Sequence, residues 1–407
     1  SGGNPSRRRT QRATALMGTL IFFDDYANTM VVGGAMRPLA DKTKTSREKL
    51  AFLVDATADP IAGVAVISTW IGVEIGLFDG QIQDFLGTVP NGYAAFFAVL
   101  PYRFYCLMTL ALVIILAWTG RDFGPMLKAE VRASRLADSG GSAASEAEEL
   151  ELPENDRAKP IDGVGPVFLV VAGILGAMLI VGSQETTRDP GAGVFSYLVQ
   201  VFTVASDYGL EILAYVGAAG MVASALWARL RCGLPFSGSA AAVGKGLKIL
   251  APTLGVLVLA MTLRKVTDDL STGVFLAALL KGTSAVILPA VVFCLAAFVA
   301  FSTGSSWATM GLLVPVALPL ASTAVQLSGA STLLILATAA SVLDGAIFGD
   351  HCSPISDTTV MSSAATSCDH MAHVRTQIPY AALSMAAAVI CGYGIGVGLL
   401  ENALVGY

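Results

Sequence analysis

Charged side chains are scarce in this sequence. Of its 407 residues only 14% are Asp, Glu, Lys or Arg, whereas 54% are hydrophobic. Soluble domains carry about 25% charged residues, so the composition excludes an ordinary water-soluble protein. The net charge is −5 and no basic stripe is interleaved with aromatic residues, which argues against nucleic acid as a partner.

The sequence also lacks the motifs of common hydrolases and metal centres. Its six cysteines are scattered without a CxxC pair, it has only three histidines, and neither GxSxG nor HExxH occurs. His351 and Cys352 are neighbours, but two adjacent residues cannot supply tetrahedral ligation. We therefore expect a non-enzyme without a cofactor. A membrane-embedded hydrolase, with Ser302 or Ser306 as nucleophile and His351 as base, is one alternative.

What the sequence does contain is a series of apolar runs. Each is long enough to cross a bilayer, which takes about 20 residues. Its 42 glycines suit the close approach of helices in lipid. The sequence thus predicts an all-α polytopic membrane protein in the cell (inner) membrane. The predicted spans include 50–78, 93–119, 164–182, 209–228, 247–264 and 377–400.

The order of apolar and charged segments suggests two membrane halves joined by a linker. The chain starts with neither a methionine nor a signal peptide, so we expect earlier helices of a longer protein to precede it. Residues 1–119 are then the remainder of a first transmembrane half, and 164–407 form a second half. Between them, 120–163 is charged and, in its acidic part, rich in small residues, which predicts a cytoplasmic linker.

Two apolar segments carry carboxylates at positions where folding alone would favour apolar side chains. A charged residue at the centre of a membrane helix costs about 2.5–3.5 kcal/mol on insertion scales, so such residues indicate function. Proline and several hydroxyls in the second segment predict that its helix unwinds there. The segments are 13–36, with Asp24, Asp25, Asn28 and Thr29, and 331–365, with Asp344, Asp350, His351, Pro354 and Asp357.

Between these segments, residues 284–324 have two apolar arms around a polar Gly-Ser-Thr stretch at 301–306. Irregular backbone at membrane depth persists only inside protein or beside water, so this pattern predicts a re-entrant hairpin. Two ordinary spans joined by a short loop are the alternative. The hairpin hydroxyls would supply neutral oxygens that suit a hard cation: Ser302, Thr303, Ser305, Ser306 and Thr309.

The two carboxylate-bearing segments also resemble each other, since 28–34 aligns with 357–363 and Asp24 and Asp25 with Asp350. Paired interrupted segments of this kind indicate an internal repeat around a transport site. The positive-inside rule, with basic loops at 37–49 and 120–135, gives an even number of crossings between the halves. An inverted repeat needs an odd number. Either the repeat is not inverted, or 195–208 is a short partial crossing that makes the number odd. We favour the second, which predicts that Lys42 and His370 lie on opposite faces.

Several runs of this sequence resemble the NhaC-type Na⁺/H⁺ antiporter family. They are FFDDYANTM, STWIGVEIGLF, STGSSWATMG and FGDHCSPISDTTVMSSAA, and the resemblance extends over nearly the whole chain except 136–162. It implies inverted repeats with a re-entrant hairpin and two discontinuous transmembrane helices. It also implies cation/proton antiport, with some relatives exchanging organic acids such as malate and lactate.

The predicted function is therefore exchange of Na⁺ for H⁺ at shared carboxylates, because a carboxylate binds Na⁺ when ionised and not when protonated. The sequence is also compatible with a Na⁺-coupled organic-acid or amino-acid exchanger and with a passive channel. Expected partners are Na⁺, protons, the lipid bilayer and, for the exchanger, a small organic anion; a homodimer stays open. His351 and Asp350 would relay protons, or His351 would bond a helix carbonyl. The predicted ion-binding residues are Asp24, Asp25, Asn28, Thr29, Ser302, Thr303, Ser305, Ser306, Asp350, Ser353, Ser356, Asp357 and Thr358.

Overall fold

The structure, a computed structural model, describes most of the chain. The described residues are 7–78 without 23 and 67, 91–138, 160–186, 208–244 and 285–400, with single positions between them at 82, 197, 201, 204, 205 and 270. The predicted span 247–264, most of 195–208 and most of the linker lie outside the described residues.

The described residues form helices, and no strand occurs among them. This confirms the predicted all-α class. A short helical stretch also covers 236–244. The helices are α1 (Arg7–Leu20), α2 (Asp25–Lys42), α3 (Arg47–Asp55), α4 (Asp59–Ala62), α5 (Thr69–Phe78), α6 (Gly92–Val99), α7 (Phe104–Thr119), α8 (Gly124–Asp138), α9 (Pro160–Glu185), α10 (Gly209–Arg231), α11 (Leu288–Thr303), α12 (Ser306–Ser328), α13 (Leu333–Cys352), α14 (Asp357–Thr366) and α15 (His370–Ala387).

Six helical stretches among the described residues are long and apolar enough to cross a membrane, which confirms a polytopic membrane protein. The chain divides into two compact units. The first comprises Ser1–Leu77, Phe97–Leu150 and Val256–Tyr407, and the second Phe78–Phe96 and Glu151–Gly255. The six stretches are Phe104–Arg135, Phe168–Glu185, Ala285–Thr303, Ser306–Ser328, Leu333–Cys352 and His370–Leu400.

In the second unit, α9 and α10 pack as an antiparallel pair. Gly165 lies against the ring of Trp227, and Gly173 lies against Val216. At one end of the pair, Arg231 donates to Asp162 at 2.5 Å. The predicted spans 164–182 and 209–228 thus each form one helix.

In the first unit, both carboxylate-bearing segments are interrupted helices. The first breaks between α1 and α2, where Asp24 caps α2 by accepting from the Ala27 amide at 2.7 Å. The second breaks between α13 and α14 at 353–356, the predicted Ser-Pro stretch, and Ser356 caps α14. Side-chain caps supply partners for the amides that the interruption leaves free.

Two predicted continuous spans are wrong. Residues 50–78 form three helices, because α3 ends at Asp55 and Pro60, which cannot continue a helix from its interior, starts α4. Residues 93–119 are likewise divided, since a 3₁₀ turn containing Pro101 separates α6 from α7. Each break leaves charged side chains within an otherwise apolar stretch.

The predicted hairpin consists of two helices joined at Gly304. This glycine has φ +64°, a conformation that permits the sharp turn, and Ser305 caps α12. Both helices are long enough to cross a bilayer, so the re-entrant arrangement stays a prediction.

α13 lies at the centre of the first unit, packed closely on α11. Gly345 and Gly349 face the backbone of α11, where an added Cβ would overlap the carbonyl oxygens of Phe293 and Ala297. Small residues four apart let two helix backbones approach in this way. The contact holds the carboxylates of α13 in a buried position.

The interrupted helices α2 and α14 run side by side in the same direction. Tyr26 contacts Asp357 at their starts, and near their ends Arg37 donates to Ser367 at 2.7 Å. Arg47 also donates to the carbonyl of Thr366 at 2.7 Å. The loops that follow both helices therefore lie at one end of the first unit. The parallel direction of α2 and α14 does not favour the inverted arrangement, and the membrane faces on which Lys42 and His370 lie stay a prediction.

Candidate functional site

Four aspartates near the two helix breaks lie within range of one another's charge; we call Asp25, Asp59, Asp350 and Asp357 the acid cluster. Asp25 begins α2, Asp59 begins α4, Asp350 lies in the last turn of α13 and Asp357 begins α14. Asp59 is within electrostatic range of each of the other three. Residues more than 300 positions apart in the sequence thus share one site.

Buried oxygen atoms without a partner mark the centre of this site. Asp25, Asp59 and Asp350 each have one carboxylate oxygen that is buried and makes no hydrogen bond, and the same holds for the amide oxygen of Asn28. These side chains are at most 2% exposed. A buried acceptor without a partner is costly, so its presence indicates a ligand that the oxygens would coordinate.

The side chain of Asn28 is held in place by hydrogen bonds from its amide nitrogen. Its amide nitrogen lies 2.7 Å from the Gly18 carbonyl and 2.8 Å from that of Thr57, which ties the break between α1 and α2 to the end of α3. Only its oxygen is left for the site. The assignment of Asn28 to the ion-binding residues stays a prediction.

Asp357 differs from the other three aspartates because both of its oxygens accept hydrogen bonds. The Tyr26 hydroxyl donates at 2.5 Å and the Thr358 amide at 2.8 Å. The Thr358 hydroxyl in turn donates to Asp59 at 3.3 Å. Asp357 and Tyr26 thus form the more exposed side of the acid cluster.

Other predicted residues make hydrogen bonds that shape the helices around the site. Asp24 caps α2 and accepts from Thr69, and Thr29 donates to the Asp25 carbonyl. Ser353 donates to the Phe301 carbonyl at 2.8 Å, and so connects the second break to the end of α11. Ser356 caps α14.

The hairpin hydroxyls are not gathered in the acid cluster by any described hydrogen bond. Ser302, Thr303 and Thr309 donate to carbonyls one turn earlier in their own helices or at the turn. Ser305 caps α12, and Ser306 is buried behind it. Their part in ion binding stays a prediction.

Two of the three histidines approach Asp55, a buried residue that no sequence motif marks. His351 and His373 approach Asp55 Oδ2 with their Nε2 atoms at 3.6 and 3.8 Å. The Gln377 amide donates to the same oxygen at 2.5 Å, and Ser362 donates to the other at 3.0 Å. Asp55 is therefore fully bonded, unlike its neighbours in the acid cluster.

A third group of buried charges surrounds Arg103. Its Nε donates to Asp344 and its Nη1 to Glu74, each at 2.9 Å. Asp344 also accepts from the Tyr105 amide at 2.6 Å and from the Tyr393 hydroxyl at 2.8 Å. We call Glu74, Arg103 and Asp344 the arginine cluster. All three are at most 1% exposed.

The sequence contained a signal for the residues that were missed. Asp55, Asp59, Glu74 and Arg103 each interrupt an apolar stretch, as Asp24 and Asp25 do. The cost of a charge at membrane depth applies to them equally. Treating 50–78 and 93–119 as single spans hid that Asp55, Asp59 and Arg103 stand at helix breaks.

Among the described residues, no three His, Cys, Asp or Glu side chains come close enough together to hold a metal ion as a resident cofactor. This statement concerns a resident metal and does not apply to Na⁺, which would be transported. Carboxylate and amide oxygens are the ligands that a hard cation prefers, and the unpartnered atoms of the acid cluster and Asn28 are of this kind.

Comparison with known proteins agrees with this chemistry. The sequence profile of the Na⁺/H⁺ antiporter family matches residues 61–396. An uncharacterized protein of Haemophilus influenzae is 30% identical over 402 residues, which cover 98% of this chain and 73% of that protein. An uncharacterized Na⁺/H⁺ antiporter of the same organism is 37% identical over 117 residues, 28% of this chain and 24% of its own. No solved structure matches. The chain belongs to the Na⁺/H⁺ antiporter family.

Proposed function

We propose that this integral membrane protein exchanges Na⁺ for H⁺, and that the acid cluster is the site at which the two cations compete. The observation that carries the proposal is the set of four buried oxygens without partners, on Asp25, Asn28, Asp59 and Asp350. Family membership supports a cation/proton antiporter in general.

The carboxylates explain why Na⁺ and H⁺ would compete for this site. Ionised Asp25, Asp59 and Asp350 repel one another at close range in a medium that screens charge poorly. Either a bound Na⁺ or added protons relieve this repulsion, and a proton on an oxygen removes it as a sodium ligand. The two cargoes therefore exclude each other at the same atoms, which is the requirement for antiport.

The surrounding helix ends favour a cation as well. α3 and α13 end beside the acid cluster, and the C-terminal end of a helix carries partial negative charge. The starts of α2 and α14 offset part of the carboxylate charge, since Asp25 and Asp357 stand in their first turns. Interrupted helices with ends at the site are typical of secondary transporters.

Exchange is tested by reconstituting the protein in liposomes and following radioactive Na⁺ and internal pH together. We expect a Na⁺ gradient to drive proton movement in the wild type. Asp350→Asn should abolish both fluxes, because an amide neither ionises nor carries the exchanged proton. Asp41→Asn, at an exposed position near the end of α2, is the matched control and should retain both.

The same assay separates the alternatives. Labelled malate, lactate and amino acids are offered on one side with Na⁺ on the other. Uptake of an organic acid that requires Na⁺ and leaves internal pH unchanged would show a Na⁺-coupled exchanger in place of a Na⁺/H⁺ antiporter. Flux of Na⁺ without any coupled proton movement would indicate a passive channel.

A further inference from the structure

Two of the three histidines, His370 and His373, are connected through one serine. His370 Nδ1 lies 3.0 Å from the hydroxyl of Ser363, and His373 Nδ1 lies 2.9 Å from the same hydroxyl. The hydroxyl also reaches the carbonyl of Thr359 at 2.8 Å. A single O–H group thus faces two imidazole nitrogens and one carbonyl oxygen.

The opposite nitrogens of both rings face acceptors, which fixes their hydrogens. His370 Nε2 lies 2.7 Å from the Pro354 carbonyl and therefore carries a hydrogen. His373 Nε2 lies 2.7 Å from the Gln377 Oε1 atom. The Gln377 nitrogen is already donating to Asp55 and to the His351 carbonyl, so the amide cannot be turned around. Each ring therefore keeps its hydrogen on Nε2 when it is neutral.

Counting hydrogens shows that two neutral rings do not satisfy this arrangement. Both Nδ1 atoms would be acceptors, and Ser363 has one hydrogen to offer. One contact would then bring two lone pairs together. A single added proton resolves this when the serine hydroxyl turns from the Thr359 carbonyl, to which it donates, toward one ring. One Nδ1–H then donates to Ser363 while the serine hydroxyl donates to the other Nδ1.

We propose that His370, Ser363 and His373 form a proton-holding site that passes one proton at a time to Asp55, beside the acid cluster. We call these three residues the histidine bridge. The proposal rests on the proposed function, since a proton route matters only if protons are exchanged. It names residues for proton entry that are separate from those that would bind Na⁺.

The transfer balances in protons and charge. His370 gives its Nδ1 proton to Ser363, which gives its own hydrogen to Nδ1 of His373. His373 then releases its Nε2 proton, which in the resting state bonds Gln377 Oε1, to Asp55 Oδ2, 3.8 Å away. His373 is left neutral with its hydrogen on Nδ1, and a flip of the ring restores the resting tautomer. One N–H bond is lost at the histidine bridge and one O–H bond forms on Asp55, so a positive and a negative charge are neutralised together. No other reactant is needed.

The location suits an entry from water. His370 begins α15 and is half-buried, whereas His373 is fully buried one turn further on. The charged and titratable groups that face the bridge are Asp55 on α3, His351 on α13 and the exposed Asp369 beside His370. At the same end, Cys368 lies near the charges of α3 and α8: Arg47, Glu48 and Arg132.

A direct test uses the fact that the chain has only three histidines. Nitrogen-15 labelling of histidine gives separate ring signals for each, which can be followed by NMR in detergent as pH changes. We expect one proton shared between His370 and His373, seen as a ring protonated on both nitrogens. Ser363→Ala should remove this signal, and Ser363→Thr, which restores the hydroxyl, should return it. Two neutral rings in the wild type at every pH above 5 would overturn the proposal.

Transport assays separate this proposal from the proposed function. His373→Gln and His370→Gln should lower Na⁺-driven proton flux at least ten-fold while exchange of radioactive Na⁺ for unlabelled Na⁺ continues, because that exchange needs no net proton transfer. Asp350→Asn should stop both. Full proton flux in both histidine variants would overturn the histidine bridge and leave Na⁺/H⁺ exchange intact. Absence of any Na⁺ exchange in the wild type would instead contradict the proposed function.

Discussion

The acid cluster, buried except at Asp357, and the fully buried arginine cluster lie in the same unit, yet their charges are compensated in opposite ways. In the arginine cluster, Asp344 receives four hydrogen bonds, from Arg103, Cys106, the Tyr105 amide and Tyr393. In the acid cluster no described Lys or Arg forms an ion pair with any of the four aspartates, and three of them keep an oxygen without a partner.

This difference distinguishes charges that stabilise the fold from charges that we propose bind the transported ion. Removing ions from water costs several kcal/mol each, and protein partners offset that cost only when the geometry is complete. The arginine cluster is nearly complete and therefore belongs to the fold, where it joins α5, α7 and α13. The acid cluster is incomplete, and on our proposal the transported ion supplies the missing compensation.

The largest expected effect comes from breaking the arginine cluster. Arg103→Leu leaves Glu74 and Asp344 buried without a counter-charge, and breaking a buried ion pair from one side destabilises a protein by about 3–5 kcal/mol. We expect little folded protein in membranes and a lower unfolding temperature in detergent. Arg12→Leu, which removes an arginine that donates to the Trp118 carbonyl, should have far less effect. A fully stable Arg103→Leu protein would contradict the structural assignment.

A matched pair of variants should then sharpen the comparison. Asp59→Asn in the acid cluster and Asp344→Asn in the arginine cluster make the same chemical change. We expect Asp59→Asn to abolish Na⁺/H⁺ exchange with unchanged or raised stability, because it removes an uncompensated buried charge. Asp344→Asn should instead lower stability by weakening the bonds to Arg103. Thermal unfolding and sodium flux are measured on both variants. If Asp59→Asn lowered stability and Asp344→Asn abolished exchange, the acid cluster would be the structural group and the arginine cluster the transport site.

The smallest expected effect concerns Glu74, the one carboxylate of the arginine cluster that has an oxygen without a hydrogen-bond partner. Its Oε2 atom has no hydrogen-bond partner, whereas Oε1 accepts from Arg103. Glu74→Gln keeps an oxygen for Arg103 and removes the surplus negative charge. We expect exchange within two-fold of the wild type and stability changed by about 1 kcal/mol or less. Loss of sodium flux would show that the arginine cluster also handles a transported cation, and the two regions would no longer be distinct.

Much of the fold could be predicted from the sequence, because membrane insertion is a local property of a segment. The spans 164–182 and 209–228 and the helix break at Ser353–Ser356 follow from apolar length and from proline with hydroxyls. Asp25, Asn28 and Asp350 could be predicted as candidate site residues, since each charge or amide in an apolar helix carries a local cost. Charges in 50–78 and 93–119 were missed because those stretches were treated as continuous helices.

The sequence by itself determined that this is a membrane protein of helices with acidic interruptions, since composition and apolar length decide insertion one segment at a time. Only the tertiary structure decided which interruptions meet. Asp59 reaches Thr358 and Asp55 reaches Gln377 across about 300 residues of chain, and the packing of α2, α3, α14 and α15 fixes those contacts. It also decided direction: α2 and α14 run parallel, because Tyr26 bonds Asp357 at one end and Arg37 bonds Ser367 at the other. Periodicity and charge in one segment carry no information about the orientation of another.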